Sequence, residues 1–278
     1  MNIANELFFA GVIPLAVAAA TALLLKLINS PPPVTWAAGV GVAYIAGQFA
    51  LAGHRGVARA IQLLVSPREA VEWLPHAVLL AMGVTILAVY APRRWRQPVL
   101  VLAALLAVGV PARLLAGHLA QQWSALEKAS HLALLAATLA LIWLLLASAR
   151  DDELPRLRQV LLVIASLGAA IATTLSGSFT IGRLCGIVAA AVTGTALVAP
   201  RGLSGAAGVV TLSLGGLILC GVFYARLNSA NATLLLLSIA AAGRLPEVVS
   251  AWPDRPRAAL RAALCLTPLG IALAACLA

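Results

Sequence analysis

The sequence has very few charged residues, and this scarcity excludes an ordinary soluble protein. Only 10% of the 278 residues are charged and 62% are hydrophobic, whereas soluble domains carry roughly a quarter charged residues. Nine acidic and nineteen basic side chains cannot cover the surface of so long a chain, so most of its apolar surface must face lipid. Together with a mean hydropathy of +1.01, this predicts an all-α, polytopic integral membrane protein.

Patterns typical of cofactor-binding, catalytic and nucleic-acid-binding proteins are also missing. The four cysteines lie inside apolar runs without C-x-x-C spacing, which indicates neither a disulfide framework nor a zinc site. No G-x-S-x-G elbow or phosphate loop occurs, so an enzyme is the less favoured class. The net charge of +10 comes from Lys and Arg residues between the apolar runs. Because these residues form no single basic face, nucleic acid is not expected as a partner.

Ten apolar runs make up most of the chain. A membrane-spanning helix needs about 20 apolar residues, and each run approaches this length. In chain order the runs cover residues 7–28, 34–53, 75–91, 98–119, 129–149, 160–177, 181–199, 203–224, 232–249 and 258–278. Each predicts one transmembrane helix, which leaves no room for a soluble domain.

A charged stretch near residues 54–73 separates the second run from the third. Its apolar residues recur at helical spacing with arginines between them, which is typical of a short helix lying on a membrane surface. The apolar positions are Val57, Ile61, Leu64 and Val65, and the arginines are Arg55, Arg59 and Arg68. We expect a periplasmic amphipathic segment here.

The distribution of basic residues predicts the orientation. Twelve of the nineteen Lys and Arg residues fall on the side opposite the N-terminus and seven on the N-terminal side. Positive residues favour the cytoplasm, so both termini are predicted outside the inner (plasma) membrane of a bacterial cell.

The two parts of the chain, residues 1–150 and 151–278, share ordered landmarks that indicate a repeat. The second and seventh runs carry glycines at equal spacing, Gly39 and Gly47 against Gly186 and Gly194. Five helices are an odd number, so two such repeats would be inverted in the membrane. The prediction is a five-plus-five inverted repeat, one five-helix unit in each part.

Matching interruptions occur in the fourth and ninth runs. Gly109 and Pro111 interrupt the fourth, and Gly243 and Pro246 interrupt the ninth. Proline removes a backbone hydrogen bond and clashes with the preceding turn, so an interrupted helix exposes polar groups that need partners. Paired broken helices at equivalent positions commonly line a transport site, so helices four and nine are predicted to be broken around one.

In architecture the chain resembles ten-helix carriers with five-plus-five inverted repeats, such as the drug/metabolite transporter superfamily and the bile acid sodium symporter fold. The resemblance rests on helix number, length and the paired interruptions, and it implies transport by alternating access. The predicted outside N-terminus differs from the usual topology of drug/metabolite transporters. No residue roles are carried over.

The leading hypothesis is therefore a carrier that holds a small molecule between the two interruptions. Only Glu247 among the nine acidic residues approaches the membrane interior, so coupling through a pair of buried carboxylates is disfavoured. The predicted substrate-binding residues are Gly109, Pro111, Arg113, Gly243, Pro246, Gln48 and Arg183.

Two alternatives remain at this stage. The chain could be a non-catalytic subunit that anchors a larger membrane complex, with the bilayer, membrane proteins or further copies of itself as partners. It could also be a redox subunit that binds a metal or haem through four histidines predicted on the outer face, although no H-x-x-H spacing supports such a site. Those histidines are His54, His76, His118 and His131.

Overall fold

The chain is helical throughout the part that the computed structural model describes, which covers residues 5, 8–53, 56–116, 124–148, 154–243 and 253–277. Only helices and turns occur in these residues. In chain order the helices are α1 (Phe8–Leu27), α2 (Pro32–Gly53), α3 (Val57–Val65), α4 (Ala70–Tyr90), α5 (Arg96–Leu114), α6 (Ala125–Ala147), α7 (Pro155–Leu175), α8 (Phe179–Val198), α9 (Leu203–Tyr224), α10 (Ser229–Ala240) and α11 (Asp254–Leu277).

Nine helices within the described ranges are long and apolar enough to cross a membrane. These are all of the helices except α3 and α10, so the prediction of a polytopic all-α membrane protein is confirmed. The ninth predicted run, residues 232–249, corresponds to α10, which has only 12 residues against the roughly 20 that a full span needs. The count of ten spans and the five-plus-five repeat therefore stay predictions.

The short helix α3 forms where the amphipathic pattern predicted one. Val57, Ile61 and Val65 are 73%, 57% and 77% exposed, whereas Ala60 and Leu63 are buried against the end of α2. The exposed apolar side chains lie one helical turn apart on one face of α3. That face is suited to a membrane surface.

The fourth helix is not interrupted at Gly109 and Pro111, the position at which the break was predicted. Helix α5 continues through Gly109 and Pro111 and ends at Leu114. Proline removes only its own amide hydrogen bond, and the Pro111 carbonyl still accepts from the Leu115 amide at 3.0 Å. A turn follows at Leu115 and Ala116 is again helical, so the interruption lies about one turn beyond the proline and not at it.

The ninth predicted helix does end where glycine was expected to interrupt it. Helix α10 ends at Ala240, and a turn continues to Gly243. A Cβ added at Gly243 would lie 2.8 Å from the backbone of Leu145, so the absent side chain permits a close approach to α6. Pro246 lies outside the described residues.

Helix α9 forms the centre of the bundle. In the most apolar 18-residue stretch of α9, 89% of the residues are buried. The corresponding shares are 17% in α1 and 22% in α11. Helices α1 and α11 therefore present most of their surface to lipid, and α9 is enclosed by its neighbours. Its course includes one wide π-helical turn, Thr211–Gly215.

Helix α8 packs closely against α1 and α2 through small residues. A Cβ added at Gly39 would lie 2.6 Å from the Thr195 hydroxyl oxygen, and Gly194 faces the backbone carbonyl of Leu15. Two of the glycines that suggested a repeat thus mark close helix contacts, as is common in membrane bundles.

Successive helices alternate in direction, which gives the bundle two faces. We call the side where α1 begins the N-terminal face and the other side the opposite face. Helix ends that lie on the same face contact each other. The Tyr224 hydroxyl donates to the Leu114 carbonyl at 2.8 Å on the N-terminal face, and the Trp36 indole donates to the Ala199 carbonyl at 3.0 Å on the opposite face.

Candidate functional site

A buried carboxylate organises the N-terminal face. Glu72 is 4% exposed and lies in the first, 3-10 turn of α4. Its side chain accepts hydrogen bonds from the Arg59 guanidinium at 2.5 Å, from the Arg68 amide at 2.6 Å and from the Glu69 amide at 3.2 Å. A buried charge is stable only when it is paired and hydrogen-bonded in this way.

Arg59 connects α3 to this turn. Its guanidinium forms the ion pair with Glu72 and lies 3.6 Å from the Glu69 carboxylate. It also donates to the Gln62 side chain at 3.3 Å. The surface helix is therefore held against the start of α4 by charge pairing as well as by apolar packing.

Two adjoining cavities open beside this ion pair, and we call them together the polar vestibule. The smaller, of about 100 Å³, is lined by Gln48, Arg59, Glu69, Glu72, Thr180 and Arg183, with apolar neighbours. The larger, of about 510 Å³, is lined by Arg68, Glu69, Trp73, Arg113, Ser178, Thr180, Cys220 and Tyr224, with apolar neighbours. Glu69 and Thr180 line both cavities, so the vestibule extends between the ends of α2, α4, α5, α8 and α9.

Positive charge predominates in the vestibule. Its charged lining residues are four arginines and two glutamates, namely Arg59, Arg68, Arg113, Arg183, Glu69 and Glu72. The surplus of two positive charges favours an anion. Guanidinium groups suit this role because they present several donors in a fixed plane to carboxylate or phosphate oxygens.

Aromatic side chains fix two of these arginines in place. The Arg113 guanidinium lies 4.1 Å from the centre of the Trp73 ring, and that of Arg183 lies 4.0 Å from the centre of the Phe179 ring. Such stacking orients a guanidinium while leaving its edge donors accessible.

Three of the seven predicted substrate-binding residues line the vestibule. Gln48 and Arg183 line its smaller cavity and Arg113 its larger one. Gln48 is buried, and its amide nitrogen donates to the Tyr44 hydroxyl at 2.5 Å. Gly109 and Pro111 lie on α5 but do not line either cavity.

Gly243 lies far from the vestibule. It contacts Leu145 near the end of α6, on the opposite face, whereas α5 ends on the N-terminal face. Ala125 and Leu145 are separated by 20 residue steps, which is about 30 Å at the helical rise of about 1.5 Å per residue. The structure therefore does not bring Gly109 and Gly243 together around one site.

The histidines are placed separately where they are described. The His76 ring lies 5.5 Å from that of Trp73, and a ring nitrogen of His131 lies 2.8 Å from the Glu127 carbonyl. His54 and His118 lie outside the described residues. Within those ranges, no three His, Cys, Asp or Glu residues form a group suited to a metal ion.

Sequence reasoning missed the ion pair at the centre of the vestibule. Glu72 lies within the charged stretch near residues 54–73, and Arg59 is one of the arginines between the apolar positions of the predicted amphipathic segment. The E-x-x-E spacing of Glu69 and Glu72 matches a helix-start capping arrangement, and the structure shows both reciprocal bonds of that arrangement. This signal marks the turn, but it does not reveal that the second glutamate is buried.

Comparison with known proteins gives no further guide, because no family of proteins, no curated protein and no solved structure matches this chain.

Proposed function

We propose that this multi-pass membrane protein is a carrier that admits a small anionic solute through the polar vestibule. The observation that carries the proposal is the surplus of arginines in a vestibule between helix ends, with Arg113 stacked on Trp73. A solute held there would exchange its water shell for guanidinium and hydroxyl groups. This differs from the initial hypothesis, because the substrate no longer lies between the two predicted interruptions.

The close contact between α2 and α8 supplies a closed barrier beneath the vestibule. Both helices contribute to its lining through Gln48, Thr180 and Arg183, and both meet deeper in the bundle at Gly39 and Thr195. In alternating access, this contact would separate as the vestibule closes. The N-terminal face is then the outward face of an inner-membrane protein, as the charge count predicts.

Uptake into proteoliposomes tests the carrier directly. Radiolabelled succinate and inorganic phosphate serve as small anions, and tetraethylammonium serves as the cationic comparison. We expect at least one anion to accumulate and the cation to be excluded. Uptake of the cation at the same rate, or of no probe at all, contradicts the proposal.

The variant Arg113→Gln links uptake to the vestibule. A hydrogen bond to a charged group contributes about 1.5–3 kcal/mol, so anion uptake should fall by roughly tenfold or more. Arg94→Gln is the matched control, because Arg94 is exposed in the connection between α4 and α5 and does not line the vestibule. Equal anion uptake by the two variants would show that transport does not depend on the vestibule.

A structural subunit is the second candidate function. The enclosure of α9, with 89% of its most apolar stretch buried, is also what a rigid anchor requires. Extraction from the native membrane into polymer discs distinguishes the two functions. A subunit would be isolated with a partner protein in fixed stoichiometry and show no uptake, whereas a carrier would be active as the purified chain.

A further inference from the structure

A second charged cavity lies at the opposite end of the bundle from the vestibule. It has a volume of about 790 Å³ and lies between the ends of α1, α2, α7 and α8. It shares no lining residue with the vestibule. Its contents and its role are therefore a separate question from the uptake of a solute.

All of the charged side chains described in this cavity are cations. Lys26 comes from the last turn of α1, Arg156 from the first turn of α7, and Arg201 from the connection after α8. The Lys26 ammonium reaches across to the Val198 carbonyl of α8 at 3.5 Å. Three positive charges from separate segments thus surround one space, whereas the vestibule mixes both signs.

Neutral polar groups add to the attraction for an anion. Asn29, Ser30 and Thr35 supply amide and hydroxyl groups to the lining. The first turn of α7 also lines the cavity, and Leu154, the residue before this helix, supplies no side-chain cap. Uncapped amides and the helix dipole favour negative charge at such a position.

The surface beside the cavity is apolar and exposed. Leu27 and Ile28, next to Lys26, are 69% and 73% exposed, and Leu197, next to Val198, is 72% exposed. Exposed aliphatic side chains at a helix end are stable against acyl chains. Cations at the membrane edge with lipid-facing surface beside them match the two parts of a phospholipid.

We propose that this cavity binds the phosphate headgroup of an anionic phospholipid, with the acyl chains against the apolar surface beside Leu27, Ile28 and Leu197. Basic pockets between transmembrane helices recognise such headgroups. A free phosphate ion would leave most of the volume unfilled and would make no use of the apolar surface. The proposal is independent of the carrier function and of the orientation in the membrane.

Native mass spectrometry of the purified full chain measures this binding. The probes are phosphatidylglycerol and phosphatidylcholine, which share a phosphate but differ in net charge. We expect the chain to retain phosphatidylglycerol preferentially. The triple variant Lys26→Gln, Arg156→Gln, Arg201→Gln should bind it at least tenfold more weakly, since each cation near an anionic lipid contributes about fivefold.

A matched triple variant controls for overall charge. Arg93→Gln, Arg94→Gln, Arg96→Gln removes the same charge from the connection between α4 and α5 and from the first residue of α5, whereas the cavity is formed by the ends of α1, α2, α7 and α8. It should retain phosphatidylglycerol within twofold of the unaltered chain. Because a triple variant can fail to fold, the single variant Arg201→Gln is measured as well, with an expected weakening of about fivefold.

Three results would overturn the proposal. The first is equal retention of phosphatidylcholine and phosphatidylglycerol by the unaltered chain. The second is an equal loss of phosphatidylglycerol in the two triple variants, or none in the cavity variants. The third is displacement of the retained lipid by millimolar inorganic phosphate, which would assign the cavity to a free anion. Retained lipid in the presence of phosphate supports the headgroup.

Discussion

The two faces of the bundle are held together by different interactions. On the N-terminal face, the Glu72 carboxylate is buried and joins α3 to α4 through Arg59. On the opposite face, side-chain donors bind backbone carbonyls at helix ends: Trp36 to Ala199, Gln159 to Pro200, and Arg158 to Ala242. The N-terminal face also has a donor to a helix-end carbonyl, Tyr224 to Leu114, so the feature that distinguishes it is the buried, paired carboxylate.

The physical reason for this difference lies in which groups each face buries. A buried carboxylate needs a cation and several donors, and Glu72 has all of these. The last carbonyls of a helix have no partner within the helix. Ala199 follows directly on α8, and Ala242 lies two residues beyond the end of α10. Donors on neighbouring helices supply the missing partners. The cations of the opposite-face cavity, Lys26, Arg156 and Arg201, are exposed, and of these Lys26 also donates to a helix-end carbonyl, that of Val198.

Removing the buried charge should give the largest effect on stability. Glu72→Gln keeps the shape but leaves Arg59 only the exposed Glu69 carboxylate, at 3.6 Å, as a counter-charge, which should lower the free energy of unfolding by about 3 kcal/mol, the low end for breaking a buried pair. We expect a loss at the low end of this range because the Arg59 side chain is 34% exposed and regains some hydration. Thermal unfolding in detergent measures the loss.

Glu69→Gln is the control, because the Glu69 side chain is 66% exposed and should change stability by under about 1 kcal/mol. Equal effects would mean that burial does not distinguish these carboxylates.

Crowding the α2–α8 contact should have the next largest effect. In Gly39→Ala the new methyl group would lie 2.6 Å from the Thr195 hydroxyl oxygen and 3.0 Å from the Thr195 methyl carbon. Overpacking of this kind costs about 2 kcal/mol. Gly83→Ala is the matched control, since nothing lies within 4 Å of its added Cβ. The double variant Gly39→Ala, Thr195→Ala should recover most of the loss in unfolding temperature, and failure to recover would exclude this contact as the cause.

Deleting one donor on the opposite face should have the smallest effect. Trp36→Phe removes the indole hydrogen bond to Ala199 and should lower the free energy of unfolding by about 1 kcal/mol. Trp36 is fully buried, whereas Trp95 is 52% exposed, so Trp95→Phe is the control with almost no expected change. If Trp36→Phe destabilised the chain more than Glu72→Gln does, the ranking of the two faces would be reversed.

Helix positions were the most predictable part of the fold. The run at residues 203–224 coincides with α9, and the other eight spanning helices lie within a few residues of their predicted runs. The thickness of a bilayer sets the length of an apolar run, so composition alone locates these helices. The short α10 departs from this rule, because its apolar run continues to residue 249 whereas the helix ends at Ala240, near the predicted interruption at Gly243.

The interruption at Pro111 shows where local rules mislead. Proline weakens any helix, but the effect on its path depends on how much helix follows. Helix α5 continues through Pro111 and ends three residues later, at Leu114, where a turn at Leu115 precedes a helical Ala116. The sequence does not show which of its residues are near the end of a helix to better than a few positions.

The vestibule was predicted only in part. Gln48, Arg113 and Arg183 stood out as polar residues within or beside apolar runs, and they line it. Glu72 and Arg59 were not predicted as vestibule residues, because both lie in a charged stretch that is typical of an exposed surface. Their burial depends on α3 folding back onto the start of α4, a tertiary contact.

The scarcity of charge by itself determined that this chain spans a membrane repeatedly, because an apolar surface of this extent is stable only in lipid. The lengths of the apolar runs likewise determined where nearly all of the helices lie. Only the tertiary structure decided that Glu72 is buried, that arginines from several helix ends share one vestibule, and that Lys26, Arg156 and Arg201 surround another cavity. These charges come from segments far apart in the sequence, and helix packing alone brings them together.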